Sequence, residues 1–392
     1  VVLTTLFFMM GFITCMNDIL IPHLKEIFEL TYVQAMLIQF CFFTAYAIMS
    51  IPMGHLVGKI GYKNGVIGGF LLTAVGCILF YPAASSASYP IFLGALFILA
   101  TGIVLLQVAG NPYVTLLAKP GKESATLTLI QAFNSLATTI APPLGAAMIF
   151  VDANASLAER ISSVQMPYLG LAGFMILLAI TVAMIKLPDA RQIAQAETEH
   201  NHDGKTSVWQ YKHLVLGAAG IFCYVGAEVS IGSLMVNVLG FLKGMDHASA
   251  AQYLSFYWGG AMVGRFLGSA VMAKIAPNRY LAFNATIAVV LLIIAMMTGK
   301  GNADVAMWSL LAIGFFNSIM FPTIFSLATK NLGKFTNSAS GILCTAIVGG
   351  ALIPVLQGKI ADDFGMMISY VAPAVCYLYI VFFALKGYKA DE

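Results

Sequence analysis

Long apolar runs, each closed by a short polar loop, follow one another through the whole chain. Run lengths and helix breakers divide it into about twelve spans, near 1–23, 32–58, 62–84, 88–117, 125–150, 165–187, 212–240, 248–274, 279–299, 303–330, 337–360 and 365–386. A run of ~20 apolar residues crosses the ~30 Å hydrocarbon layer of a bilayer as one helix. Within that layer every backbone polar group needs an internal partner, and a helix supplies it. The sequence therefore predicts an all-α membrane protein. Charged residues are 9% of the chain, against about 25% in an average soluble domain, which excludes a water-soluble globule. The first run lacks the basic front and small-residue cleavage site of a signal peptide. Its apolar start at residue 1 points to a trimmed natural N-terminus.

One stretch differs in kind. "LPDARQIAQAETEHNHDGKTSVWQYKH", 187–213, is polar and charged, and reads as a linker between two six-span units. The expected domains are 1–187, a linker at 188–211, and 212–392. Assigning alternate loops to the two membrane faces leaves only Lys25, Arg160, Lys243, Lys300 and Lys359 on one face, with Arg265 inside a span. The remaining fourteen of the twenty Lys and Arg fall on the other face. By the positive-inside rule that Lys-rich face is cytoplasmic, together with both termini and the linker.

The two units look duplicated. Gln107 precedes Pro112 by five residues in "LLQVAGNPYVTLLA", and Asn317 precedes Pro322 by five in "FFNSIMFPTIFSLA", at an offset of 210. The same offset carries Asp18 onto Glu228. "APPLG" at 141–145 matches "IPVLQG" at 353–358, and "GKIGYK" at 58–63 matches "AKIAPNR" at 273–279. This order describes two pseudo-symmetric six-helix bundles. Transporters built in this way bind substrate near the membrane midplane, where the halves meet.

Three formal charges fall within spans: Asp18, Glu228 and Arg265. Each costs ~2.5–3.5 kcal/mol or more at the bilayer centre unless it faces a wet cavity, pairs or is neutralised. Asp18 is either an interfacial acid or, with Asn17 beside it, a cavity-facing cation-coupling group. Arg265, in "GRFLG", is a gating or structural candidate that can snorkel or clamp a helix end, and Lys59 joins it at the end of the second span. Among uncharged residues, Gln107 and Asn111 lie at i and i+4 on one helix face, and Gln131 and Asn134 share another. Amides offer both donors and acceptors, which suits a ligand rich in hydroxyls; singly, they also serve as glue between helices. Substrate-binding candidates are thus Gln107, Asn111, Gln131, Asn134, Glu228 and Asn317. Tyr46, Phe133, Tyr224, Tyr257 and Trp258 could stack on a sugar ring, Trp258 being the one carried into the candidate site. "GNPY" and "APPLG" are expected to break backbone hydrogen bonding inside their spans, and the pairs Gly68-Gly69, Gly259-Gly260 and Gly349-Gly350 to let helices approach closely.

Other classes are poorly supported. There is no phosphate-binding Gly-Lys-Ser loop, no His-Glu-x-x-His and no Gly-x-Ser-x-Gly, so no enzyme and no cofactor are expected. The six cysteines sit in apolar runs without metal-ligand spacing. No basic patch points to nucleic acid. The partners expected are a ligand rich in hydroxyls and the bilayer, with the chain acting as a monomer. A drug or lipid exporter of the same architecture would want a larger, more apolar cavity. A sugar sensor would want a signalling domain.

"GHLVGKIGYK", 54–63, is similar to the loop signature of the major facilitator superfamily between spans two and three, with Gly58 where an Asp is usual. "MNDILIPHLKEIFELTYVQAMLIQ", "QVAGNPYVTLL", "QAFNSL" and "FPTIFSLATKNLG" resemble the fucose–proton symporter family, and its glucose/galactose transporter branch most of all. The resemblance implies cation-coupled uptake of a monosaccharide across a bacterial inner membrane by alternating access. It implies that Asp18 is the family's first-span acid and Gln131 its sugar-binding glutamine. Gln107 stands where fucose members carry a Glu, and a Gln cannot take up and release a proton. Sodium, held by Asp18 with Asn17 and nearby carbonyl oxygens, is therefore favoured over a proton on Asp18 or Glu228. Oxygen ligands suit such a hard cation.

Overall fold

The computed structural model describes residues 2–27, 32–86, 88–149, 157–188, 205–299 and 301–390. Side chains 17–36, which include Asn17 and Asp18, lie outside the described set. So does most of the expected linker.

The spans form helices. In the first half these are α1 (Val2–Ile27), α2 (Tyr32–Ile60), α3 (Tyr62–Ser85), α4 (Tyr89–Leu117), α5 (Glu123–Ile149) and α6 (Leu157–Met184). In the second they are α7 (Lys212–Lys243), α8 (His247–Met272), α9 (Pro277–Thr298), α10 (Ala303–Asn317), α11 (Met320–Ala328), α12 (Thr336–Thr345), α13 (Gly349–Phe364) and α14 (Val371–Phe382). Two expected spans are split: α10 and α11 flank a break at Ser318–Ile319, and α12 and α13 flank a 3-10 turn at Ala346–Val348. Among the described residues, nine helical stretches are long and apolar enough to cross a membrane, and α1 adds a shorter apolar stretch, Leu3–Met16. Large apolar side chains such as Leu177 and Met184 point outward, at 56% and 80% exposure. A bilayer would cover them.

The packing repeats between halves. α3 lies against α4 and α6, and α9 lies against α10 and α14. α2 rests on α4 as α8 rests on α10, and α1 meets α5 as α7 meets α13. The halves join through two symmetry-related pairs, α2 with α12 and α5 with α8. Duplicated sequence has become duplicated packing, as the offset of 210 requires.

Small residues set the α2–α12 distance. A methyl built on Gly54 would stand 2.8 Å from the Asn337 carbonyl oxygen, and one on Gly341 would stand 2.8 Å from that of Ser50. Backbone meets backbone, and neither side can yield cheaply. Of the glycine pairs, Gly69 abuts Leu106 and Gly260 abuts Phe315, while nothing stands near Gly259.

Two expectations are corrected. The "GNPY" and "APPLG" segments do not break their helices: α4 runs through Pro112 to Leu117, and α5 runs from Glu123 to Ile149. Proline removes a single N–H, and the helix continues when the carbonyl it strands finds another donor. In the second half the repeat proline, Pro322, lies in the first turn of α11, just past the break, where proline is tolerated.

Candidate functional site

A cavity of about 160 Å³ lies between the halves. α5 contributes Gln131 and Asn134, α4 Gln107, and α1 the apolar Phe7 and Met10. From the second half come Tyr224, Val225 and Glu228 of α7, Arg265 of α8, Phe321 of α11 and Ile347 of the 3-10 turn. One wall is therefore amide-rich, and the other is aromatic and aliphatic with a single pair of opposite charges.

The amides are positioned rather than loose. Gln131 donates from Nε2 to the Asn111 Oδ1 at 3.2 Å, linking α5 to α4. Asn134 donates from Nδ2 to the Phe7 carbonyl at 2.9 Å, linking α5 to α1. Gln107 Oε1 and Asn111 Nδ2 are buried without a protein partner. An unmet buried polar atom costs about 1–3 kcal/mol, and of the two residues only Gln107 lines the cavity, where a ligand hydroxyl can donate to its Oε1.

Arg265 and Glu228 approach to 3.9 Å, each with little exposed surface. The guanidinium donates from Nε to the Ser318 carbonyl at 3.1 Å and from Nη1 to the Ser135 hydroxyl of α5. It therefore touches α7, the break between α10 and α11, and the opposite half at once. Its planar fork of five donors is what makes this possible. Among the described residues, Glu228 is the one carboxylate of the lining. Tyr257 of α8 donates to the Glu228 backbone carbonyl at 3.1 Å, tying α8 to α7 behind the cavity.

Three expected sugar contacts lie elsewhere. Asn111 is fully buried behind the lining, where it accepts from Gln131. Trp258 does not line the cavity: it is 42% exposed and lies against Gly232 of α7. Its neighbour Tyr257 takes the inward position instead, because successive helix residues point about 100° apart. Asn317 is fully buried. It donates to the Tyr257 hydroxyl at 2.7 Å and accepts from the Tyr377 hydroxyl at 2.6 Å, which consumes it in a helix–helix network. Lys59 is exposed in the last turn of α2, away from the cavity. Tyr46 and Phe133 also stay outside the lining, while Tyr224 is in it. The sequence reading passed over Ser135 and Ser340. Ordinary serines in apolar helices give no signal beyond their polarity.

At the Lys-rich end the halves touch directly. The Ser124 and Ser326 hydroxyls are hydrogen-bonded, and Lys122 donates to the Ala273 carbonyl at the end of α8. Ser340 of α12 donates to the Val108 carbonyl of α4 at 2.9 Å.

The sequence model of the Major Facilitator Superfamily matches residues 2–353. A putative glucose/galactose transporter of Helicobacter pylori is 56% identical over 100% of this chain and 97% of its own length. The glucose/galactose transporter of Brucella abortus is 54% identical over 99% and 93%. The L-fucose-proton symporter of Escherichia coli is 32% identical over 97% and 91%. A crystal structure titled as the transporter FucP in the outward conformation superposes with a TM-score of 0.87, at 33% identity, over 98% of this chain and 97% of that one. The repeated packing, the cavity between the halves and these matches together place the chain in the major facilitator superfamily, within the fucose–proton symporter family and beside its glucose/galactose transporters.

Proposed function

We propose that the protein takes up a hexose of the glucose/galactose type by cation symport. The observation that carries this reading is the amide wall of the cavity, with Gln107 Oε1 unmet beside Gln131 and Asn134. A sugar hydroxyl can donate to that oxygen, and the aromatic Tyr224 and Phe321 opposite offer a face for the apolar side of a ring. The names of the relatives above point the same way. The amides of this cavity set it apart from the larger, apolar cavity of about 820 Å³ lined by Phe8, Phe12, Met166 and Phe174, which a drug or lipid exporter would favour.

In this reading Gln107, Gln131, Asn134 and Glu228 bind the sugar, Asn111 holds Gln131 in place from behind, Arg265 gates, and the bundles 1–187 and 212–392 rock about the cavity as a monomer. The Lys-rich end faces the cytoplasm of a bacterial inner membrane, as do both termini. The seal at that end is then the inner gate, and the cavity belongs to an outward-facing state. Asp18 carries the coupling cation. Sodium held with Asn17 is the favoured ion, and a proton on Asp18 or Glu228 is its rival, which the relative named as a proton symporter supports. A cation biases the cycle only through unequal affinity for the two states. The test is counterflow of labelled glucose into proteoliposomes, with and without Na⁺ and at several pH values. Na⁺-dependent exchange is expected. Exchange of fucose but not glucose or galactose would overturn the hexose assignment, and Na⁺-independent, pH-driven accumulation would overturn the ion.

A further inference from the structure

Helical proline leaves the carbonyl four residues earlier without its N–H partner. For Pro112 that carbonyl is Val108; Pro322, in the first turn of α11, likewise has no N–H to offer the Ser318 carbonyl, which the break before α11 leaves open. The two prolines stand at the repeat offset of 210, and so do the two carbonyls. Both carbonyls are met by a side chain from another helix. Ser340 of α12, in the opposite half, donates to Val108 at 2.9 Å, and the bond is buried. Arg265 of α8 donates to Ser318 at 3.1 Å and reaches across to Ser135 of α5 in the opposite half. Two unlike donors, a hydroxyl and a guanidinium, thus serve equivalent stranded carbonyls. In both cases the donor ties the proline-bearing helix to the other bundle.

We propose that Ser340 and Arg265 are positioning residues for transport, each reading a proline-stranded carbonyl as a handle and thereby holding the halves closed at the Lys-rich end. The proposal rests on the transport reading above. Val108 is one residue from Gln107 and one turn from Asn111, so the Ser340 bond also fixes the register of the amide wall against α12. When the halves separate at that end, Ser340 withdraws and Val108 is left to water. The bond therefore stabilises one state of the cycle and not the other, which is what a positioning contact must do. Arg265 performs the equivalent task with a charge, and its pairing with Glu228 at 3.9 Å links that latch to the cavity. Ser340 holds a latch with no such link.

The test uses the full chain in a cysteine-free background, with spin labels on Asn64→Cys and Lys274→Cys. Both positions are exposed at the Lys-rich end, in opposite halves. Their distance distribution reports open and closed populations. Ser340→Ala should raise the open-to-closed ratio about fivefold, the worth of one ordinary hydrogen bond. Ser340→Thr, which keeps the hydroxyl, should restore it. Pro112→Ala returns an N–H to Val108, so Ser340→Ala added to Pro112→Ala should change the ratio no further. An unchanged ratio in Ser340→Ala, or full additivity in the double variant, overturns the proposal. A merely structural serine would lower thermal stability and leave the ratio alone. Glucose counterflow by the unlabelled parent reads the transport function separately. Its absence, with the fivefold shift intact, would remove the hexose reading and leave the latch standing.

Discussion

Replacing Glu228 by Gln removes one member of the cavity's charge pair and keeps its shape. At 3.9 Å, with an effective dielectric of about 20, two unit charges attract by about 4 kcal/mol. Desolvation of both groups offsets much of that attraction. What the substitution exposes is therefore mainly the cost of a guanidinium left without its counter-charge. Removing one partner of a buried pair costs about 3–5 kcal/mol. Here Arg265 keeps the Ser318 carbonyl and the Ser135 hydroxyl, so the expected loss sits below that range, near 2–3 kcal/mol. Arg265→Gln should cost a similar amount by stranding Glu228 and the Ser318 carbonyl. The double variant Glu228→Gln/Arg265→Gln carries no net charge in the cavity, and two amides can hydrogen-bond to each other. Its loss should be smaller than the sum of the single losses by about 2 kcal/mol, well outside the ~0.3–0.5 kcal/mol scatter of independent sites. The assay is reversible denaturation of purified protein in detergent, repeated at low and high salt. A buried pair should show little salt dependence. Strict additivity, or a coupling abolished by salt, would refute the view of Glu228 and Arg265 as one desolvated unit.

Three further outcomes follow from the same geometry. Gln131→Ala deletes the bond to Asn111 and one cavity amide, and should weaken glucose binding by roughly 5- to 150-fold, at about 1–3 kcal/mol for the polar group left unmet; a dissociation constant equal to that of the parent counts against the site. Asp18→Asn should abolish concentrative uptake while exchange survives, and vesicles that still accumulate sugar against a gradient would remove Asp18 from the coupling step. Trp258→Leu should leave sugar affinity within a factor of two, since the indole faces Gly232 rather than the cavity and scattered sites of that kind lie within about 0.5 kcal/mol of neutral; titration of binding by calorimetry checks it.

The number of spans and the duplication were legible because they rest on run length and on a fixed offset, both one-dimensional properties. Gln107, Gln131, Asn134, Glu228 and Arg265 were legible as polar residues in apolar helices, and all five line one cavity. Asn317 and Trp258 show the limit of that logic. Asn317 stands at the repeat position of Gln107, yet Tyr257 and Tyr377 consume its amide. Periodicity fixes a face of a helix but not the neighbour that face meets. The same limit hid Ser340. Its importance arises only when α12 crosses α4 beside a carbonyl that Pro112 strands. Half of that contact could nonetheless be read in advance. A proline inside a span names the residue four places earlier as a carbonyl in need of a donor, and another helix is one source of that donor in a bilayer. Pro112 names Val108 and Pro322 names Ser318, at the same offset that relates the two halves. A duplicated proline in a duplicated bundle thus predicts a pair of side-chain donors, and two-fold packing requires each to come from an equivalent neighbourhood. Arg265 and Ser340 depart from that equivalence in chemistry and in which helix supplies them. The departure gives one handle a charge and leaves the other neutral, so that of the two only the Arg265 handle is wired to the carboxylate in the cavity.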